Sequence, residues 1–363
     1  MNKHLVISLS DHGFGHIGQT APIVRELKKK VPGIKVTIRS ASPKMKLIER
    51  FGTGVEIIDA KLDIGMVQLD ALNVDVEKSY QAYKDFHENW DFNVTQEANA
   101  LSTLKADLVL SNISYLSLAG AKSANIPAIA YCSLNWFDIF QYYFGKRASA
   151  QPILAQMRSA YDNADRFIIP EPGMLMPGIK NKVLVGPVAQ LGKDQCDNIL
   201  SQYNLPNHSH IVLISLGGMK LHTSPTLWPH IDNIIYLVPD DWDTSGRNDM
   251  IKIGSLDYPF IDLMCSCDVL IAKPGYGSFV ESACTGTAVL YLERVNWPEI
   301  KSLTDWLQSK VNCAMLDWSD LENDVFEQKL NTLLDPPRQT AQSPIGVEET
   351  TAHILEQLDK NTH

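Results

Sequence analysis

The sequence predicts an α/β protein made of two doubly wound, Rossmann-like domains facing each other across a cleft. Three observations predict it. Short apolar runs alternate with amphipathic stretches along most of the 363 residues, the pattern of a parallel sheet covered by helices. Two of those runs lead straight into glycine turns. Residues 5–9 precede Ser10-Asp11-His12-Gly13-Phe14-Gly15-His16-Ile17-Gly18, and residues 269–272 precede Lys273-Pro274-Gly275-Tyr276-Gly277-Ser278. The run beginning at His210 also echoes the one beginning at His4, and Gly217-Gly218 follow it. A glycine turn lets a bound group approach the backbone, and the helix start behind it offers free N–H groups and about half a positive charge.

In the first half the pattern predicts strands over 4–10, 35–40, 55–59, 107–111, 128–132 and 166–169. Helices are expected over 19–30, 43–51, 77–104, 115–124 and 148–163. Residues 61–76 break the rhythm as a longer loop carrying Asp63, Gln68, Asp70 and Asp75. Residues 182–192 read as a strand and a Gly-Pro linker. The second half repeats the theme, with strands over 210–216, 234–238, 250–253, 269–272, 288–292 and 313–316. Its helices are expected over 259–267, 278–285, 299–310 and 320–334, and a last one over 346–358. The division this gives is 1–187, 188–340 and a C-terminal helical segment, 341–363.

The formal net charge is −10. The one basic run, Lys28-Lys29-Lys30, reads as the end of a helix, so nucleic-acid binding is not expected. No apolar stretch approaches the ~20 residues of a membrane span. The short run at 5–9 is no secretory leader, and the expectation is a cytoplasmic protein. The six cysteines have no zinc-finger spacing and read as buried thiols.

Several constellations carry chemistry. Gly13-x-Gly15-x-x-Gly18 matches the dinucleotide fingerprint, but the acidic residue expected at the end of the second strand is replaced by Arg39 and Ser40. An arginine there suits a 2′-phosphate, so an NADP oxidoreductase is one competing reading; a plain turn with exposed histidines is another. Ser278-Phe279-Val280-Glu281 spells a capping box. The same residues suit a nucleotide, with residues 275–278 on the diphosphate and Glu281 on the ribose. Lys220, after the second glycine pair, is placed to neutralise a phosphate. Asp241-Trp242-Asp243 is a literal D-x-D in a turn-like polar run; no metal site is expected from it. Trp90, Trp136, Phe137, Phe140, Tyr142 and Tyr143 form an aromatic group that suits either a core or a sugar platform.

Together these pieces resemble the GT-B glycosyltransferase superfamily, in particular its MurG-like members. The likeness is closer still to the glycosyltransferase-like N-terminal region of L-arabinokinase and its stand-alone bacterial relatives. The residues that carry it are Asp11-His12-Gly13-x-Gly15-His16, the loop from Leu62 to Asp75, and Lys105-Ala106-Asp107-Leu108-Val109-x-Ser111. Further on come Asn135-Trp136-Phe137-Asp138, Lys273-x-Gly275-Tyr276-Gly277-Ser278-x-x-Glu281, and Glu293-Arg294 with Trp297-Pro298-Glu299. The chain departs from the MurG pattern at Met219 and in the stretch around Glu299.

The resemblance implies a metal-independent, cofactor-free transferase. It would move a sugar from a nucleoside diphosphate, UDP first, to an acceptor that the sequence does not identify, with inversion. Nucleotide-sugar epimerisation and binding without catalysis are the alternatives. The resemblance puts the nucleotide-sugar at Gly217, Gly218, Lys273, Gly275, Tyr276, Gly277, Ser278, Glu281 and Glu299. It puts the acceptor near Gly13, Gly15, Asp63, Gln68, Asp70, Asn135, Trp136 and Asp138. His16 is the expected base and His12 the second candidate, with Asp11 to orient either. The last helix is expected to cross back onto the first domain.

Overall fold

The computed structural model describes residues 3–70, 72–216 and 225–360. The first half runs β1 (His4–Leu9), α1 (Gly15–Lys30), β2 (Lys35–Arg39), α2 (Lys44–Phe51), β3 (Glu56–Ile58), α3 (Val76–Glu88), α4 (Trp90–Leu104), β4 (Leu108–Asn112), α5 (Tyr115–Ser123), β5 (Ala128–Tyr131), α6 (Trp136–Phe144), α7 (Gln151–Asp162), β6 (Arg166–Pro170) and β7 (Lys182–Val185). The second runs α8 (Cys196–Gln202), β8 (His210–Ser215), β9 (Ile234–Val238), β10 (Met250–Lys252), α9 (Phe260–Ser266), β11 (Val269–Ala272), α10 (Tyr276–Thr285), β12 (Ala288–Leu292), α11 (Ile300–Lys310), β13 (Cys313–Leu316) and α12 (Val325–Leu334). The helix α13 (Gly346–Lys360) comes last.

The strands form two parallel sheets, ordered β3-β2-β1-β4-β5-β6-β7 and β10-β9-β8-β11-β12-β13. This is the two-domain, doubly wound architecture that the alternation predicts. Each strand feeds both faces of its sheet. Val6, Val109, Ala130 and Phe167 enter one core cluster, while their neighbours Leu5, Leu110, Ile129 and Ile168 enter the other. In the second sheet Val212 and Ile271 face one cluster and Leu213 and Leu270 the opposite one. Burial on both sides makes these strands continuous apolar runs rather than alternating ones. No helix among the described residues is long and apolar enough to cross a membrane.

Four departures from the expected elements have a local physical reason. The predicted helix over 77–104 is two helices broken at Asn89, and the Asn93 side-chain amide donates to the Phe86 carbonyl freed by the break. The aromatic group at 136–144 is the helix α6, buried at Trp136, Phe137, Phe140 and Phe144. α12 starts only at Val325, because Asp317 and Asp320 close a capping box on a separate 3-10 turn. α1 starts at Gly15, four residues early, because burial of His16 and Ile17 outweighs the poor helix propensity of glycine.

Two chain segments cross between the halves, one after β7 and one after α12, and they touch. The Gly346 N–H donates to the Pro187 carbonyl at 3.1 Å, and the Gly186 N–H to Glu349 Oε2 at 2.7 Å. A Cβ on Gly346 would lie 1.9 Å from the Gly186 carbonyl oxygen. Past this crossing α13 packs along α1, and Ile354 and Leu358 join the first sheet's core.

Ile354 is fully buried. Ile354→Ala is therefore expected to destabilise the protein by about 2–5 kcal/mol in urea unfolding. A loss below ~0.5 kcal/mol, typical of surface substitutions, would mean that α13 does not dock here in solution.

Candidate active site

Strand order reverses between β1 and β4 in the first sheet and between β8 and β11 in the second. Open α/β sheets bind ligands in the crevice at the C-terminal ends of such strand pairs. The segments leaving β1 and β11 are the two glycine turns.

The β1 side is built around His16. It lies in the first turn of α1 rather than in the loop, and is 5% exposed. Leu9 and Asn112 are partners in the β1–β4 register, which brings Asn112 beside the α1 start from 96 residues away. A chain of hydrogen bonds fixes the Asn112 amide. The Thr20 hydroxyl donates to the His16 carbonyl at 2.8 Å, so its oxygen accepts from Asn112 Nδ2 at 2.9 Å, and Gln19 Oε1 lies 3.3 Å from the same nitrogen. Asn112 Oδ1 then faces His16 Nδ1 at 2.8 Å. An amide oxygen only accepts, so Nδ1 carries the proton and Nε2 keeps its lone pair. Nε2 has no hydrogen-bond partner among the described residues. Burial lowers the pKa of His16, opposed by the Asn112 bond and the Asp11 charge, and the ring is neutral at neutral pH.

His12 is arranged differently. The Met66 N–H reaches its Nδ1 at 3.5 Å, and the Gln68 amide lies 3.1 Å from its Nε2. With the Gln68 oxygen toward the ring, Nε2–H donates to it, while the amide nitrogen reaches the Asn73 and Asp70 carbonyls. Both ring nitrogens of His12 are thus engaged. The ring meets Trp136 edge-on at 5.0 Å and stacks on Trp297 at 5.9 Å. Burial, helped by the charges of His16, Arg294 and Lys273, brings its pKa down to about 3. Gly65 (φ +62°) holds the loop against this ring; a Cβ there would sit 2.6 Å from Nδ1. Asp11 bonds to neither histidine; Asn112 holds the place expected for it, a partner that only the register reveals.

The residues expected around the acceptor turn their polar atoms inward. Asp63 is 1% exposed, accepts from Ser10 Oγ at 3.1 Å and Trp136 Nε1 at 3.0 Å, and is pushed up to about 6, chiefly by burial. Asn135 caps α6 by accepting the Asp138 N–H, and its amide donates back to the Asp138 carboxylate, both at 2.7 Å. Asp70 holds a turn through the N–H groups of Leu72 and Asn73. By contrast, a Cβ on Gly13 or Gly15 would meet nothing within 4 Å.

On the opposite side α10 starts at Tyr276 with Gly275 as its N-cap and no side-chain cap. The expected capping box does not form, since Ser278 is already inside the helix. Glu281 instead takes Arg50 Nη2 from α2 at 2.8 Å, with the two side chains 6% and 18% exposed. Burial raises the pKa of Glu281, and Arg50 opposes the rise. Tyr276 anchors the crossing segment: its hydroxyl donates to the Glu171 carbonyl and accepts the Val188 N–H. Glu299 is also spoken for. It accepts from Ser133 Oγ at 2.7 Å and from Trp297 Nε1 at 3.3 Å, and Ser133 in turn accepts from Gln19 Nε2 at 2.9 Å. Burial raises its pKa. A Cβ on Gly275 or Gly277 would meet nothing within 4 Å; Ser278 and Lys273 have no polar partner among the described residues, and burial and Arg294 bring the pKa of Lys273 down to about 8. Gly217, Gly218, Met219 and Lys220 lie outside the described residues.

The NADP reading loses its key residue. Arg39 is 6% exposed and holds Glu97 in a bidentate pair at 2.6 and 2.7 Å, so it is not free for a 2′-phosphate. Asp243 accepts the Ser245 N–H within its turn after β9, and Trp242 is core. Sequence reading missed Asn112, Arg50 and the role of Arg294; only topology brings the first two to the cleft.

No known protein-family profile matches the chain. A region of L-arabinokinase from Arabidopsis thaliana is 24% identical over 320 residues, 85% of this chain; the chain spans 30% of that protein. Among solved structures, the glycotransferase of kitacinnamycin superposes with TM-score 0.62 at 13% identity, covering 99% of this chain and 96% of that one. TcCGT1 in complex with UDP gives 0.56 at 13% identity, covering 99% and 100%. A putative UDP-N-acetylglucosamine 2-epimerase from Listeria monocytogenes gives 0.60 at 13% identity, covering 99% and 96%. The fold is the GT-B fold of glycosyltransferases.

The Arg50–Glu281 pair joins the two halves. Arg50→Ala, Glu281→Ala and the double variant, compared by denaturant unfolding, should show a coupling of at least ~1 kcal/mol. A coupling near zero would mean the pair does not form in solution.

Proposed function

We propose that the protein transfers a glycosyl group from a nucleoside diphosphate-sugar, UDP first, to a hydroxyl of an acceptor, without a metal and with inversion. The observation that carries this reading is the lone pair on His16 Nε2, held in one tautomer by Asn112 on the β1 side of a GT-B cleft. In the reaction Nε2 takes the proton from the acceptor hydroxyl. The acceptor oxygen bonds to the anomeric carbon from the face opposite the diphosphate. The bond from that carbon to the diphosphate oxygen breaks, and its electron pair leaves with the diphosphate. A positioned base of this kind contributes on the order of 10²–10⁴ in rate. The uncapped start of α10 and Lys273 are the groups placed to receive the leaving charge. In this reading Glu281 takes the ribose hydroxyls by exchanging them for Arg50. His12, with both nitrogens engaged, shapes the site rather than moving a proton. The solved neighbours support the choice of donor, since TcCGT1 holds UDP.

The epimerase neighbour keeps one second reading in view. An epimerase would turn over a nucleotide-sugar with no acceptor present; the transferase should not.

His16→Ala should lower turnover on the order of 10²-fold or more and leave UDP affinity by calorimetry nearly unchanged. Both activity and UDP binding should survive EDTA. Full turnover in the variant would remove His16 as base, and loss on chelation restored by manganese would end the metal-free reading.

The pH dependence tests the same dyad. Wild-type His16 has a lowered pKa, so the acid limb of the rate profile should lie below the ordinary histidine value of about 6.5. Asn112→Asp sets a negative charge beside the ring, favours the imidazolium and should move that limb upward. An unmoved limb would show that the titrating base is another group.

A further inference from the structure

The aromatic residues that suit either a core or a sugar platform divide in the structure. Those over 136–144 belong to α6, while Trp90 opens α4 and lines a cavity that shares no residue with the cleft. The cavity is open to solvent and measures about 560 Å³, within the range of about 300–1,000 Å³ usual for small-molecule sites. Its place follows from the packing. α5 packs against both α4 and α7, and the cavity lies between those two helices. Ala119 of α5 and Ala155 and Ala160 of α7 line it, and side chains this short leave the space between the helices unfilled.

A buried relay fixes two of the groups around this space. His87 is buried, which brings its pKa down to about 4, so the ring is neutral at neutral pH. Gln156 Oε1 lies 2.6 Å from His87 Nδ1, and the Tyr115 hydroxyl 2.9 Å from Nε2. An amide oxygen only accepts, so Nδ1–H donates to Gln156, and Nε2 accepts from Tyr115. The oxygen of Gln156 is thereby taken, and its Nε2 keeps two hydrogens with no partner among the described residues. Trp90 stacks on the same two rings, at 5.1 Å and 12° on His87 and at 5.6 Å and 28° on Tyr115. The stack holds the indole plane, and the indole N–H has no acceptor among the described residues. Asp91, Ser159 and Asn163 add a carboxylate, a hydroxyl and an amide to the lining, each likewise without a side-chain partner among the described residues. Asp91 is the one ionisable side chain on the lining.

We propose that this cavity binds a neutral pyranose ring, as a free sugar or as one unit of an oligosaccharide, with a C–H face on Trp90 and hydroxyls on Asp91, Gln156, Ser159 and Asn163. A sugar hydroxyl donates and accepts at once, which answers a mixed set of amide, hydroxyl and carboxylate groups. A wholly apolar ligand would strand those groups. A phosphate or a carboxylate would meet Asp91 with like charge and find no cation on the lining. An ammonium ligand would suit Asp91 and the indole face but offer the Gln156 N–H groups no acceptor. The site goes beyond the transfer reading and does not depend on it, since it holds a sugar without reacting with it.

The test uses the full chain and saturation-transfer NMR with D-glucose, D-galactose, D-xylose, L-arabinose and maltotriose, each with and without UDP. At least one should bind with millimolar affinity in both conditions, with transfer strongest to the C–H protons of one ring face. Ala155→Phe fills the cavity from an exposed position on α7, and Asp91→Ala removes its carboxylate. Each should weaken sugar binding about tenfold or more and leave UDP binding as in the wild type; thermal melts check that both variants fold. Binding of none of these sugars overturns the proposal. So does binding that is undiminished in folded Ala155→Phe, which would put the sugar elsewhere on the protein. Choline binding that Ala155→Phe abolishes, without sugar binding, would overturn it in favour of a cation site. Sugar binding that Ala155→Phe abolishes, in a protein that transfers no glycosyl group, would sink the transfer reading and leave this site standing.

Discussion

The cleft depends on β1 and β4 lying side by side in parallel. Their register sets Leu9 against Asn112, and the Ser10 N–H closes on the Asn112 carbonyl at 2.7 Å. One strand of the pair feeds β2 and the other β5, so their outgoing segments diverge and leave a crevice between them. Into that crevice α1 brings His16, Gln19 and Thr20 on one face, and all three meet the Asn112 amide or its neighbours. A slip of one residue in this pairing would turn the Asn112 side chain to the opposite face of the sheet. The histidine would then lose the partner that fixes its tautomer.

The two halves meet through polar groups, and these divide into two kinds. Glu281, Glu299, Arg50 and Ser133 find their partners across the interface, and burial raises the pKa of both carboxylates despite those partners. A buried polar contact of this sort specifies how surfaces meet more than how strongly they adhere, because desolvation offsets much of the attraction. Lys273, Arg294 Nε and His16 Nε2 are the other kind: polar atoms that find no hydrogen-bond partner among the described residues. The contrast separates what holds the cleft together from what the cleft is open to.

How legible all this was in the sequence depends on range. Strands 234–238, 269–272 and 288–292 were readable to the residue, because burial on both faces leaves an uninterrupted apolar run bounded by turn residues. The start of α1 was not, because glycines mark a turn by local propensity while tertiary burial continues the helix through Gly15 and Gly18. The site was legible where chemistry sits in one segment, as in His12 to His16 or Lys273 to Ser278. Partnership was not. Asn112 is an ordinary strand-end residue until β4 is placed beside β1, and Arg50 is a helix-end arginine until α2 is set against α10. The capping box shows the reverse error: Ser278 and Glu281 fit a local pattern, but the helix begins two residues earlier and the carboxylate is claimed from the opposite half.

The contact between Gly186 and Gly346 gives the molecule a mechanical property. Two bodies joined by two separate tethers keep many ways to shear and twist against each other. Here both tethers pass through a single point, bonded to one another, with backbone so close that no side chain fits between them. The pair lies beside the sheet edge at β7, and Tyr276, the first residue of α10, is bonded to the same crossing segment through Glu171 and Val188. A side chain at either glycine would push the two tethers apart, and the start of α10 would lose the anchor that ties it to the end of the first sheet.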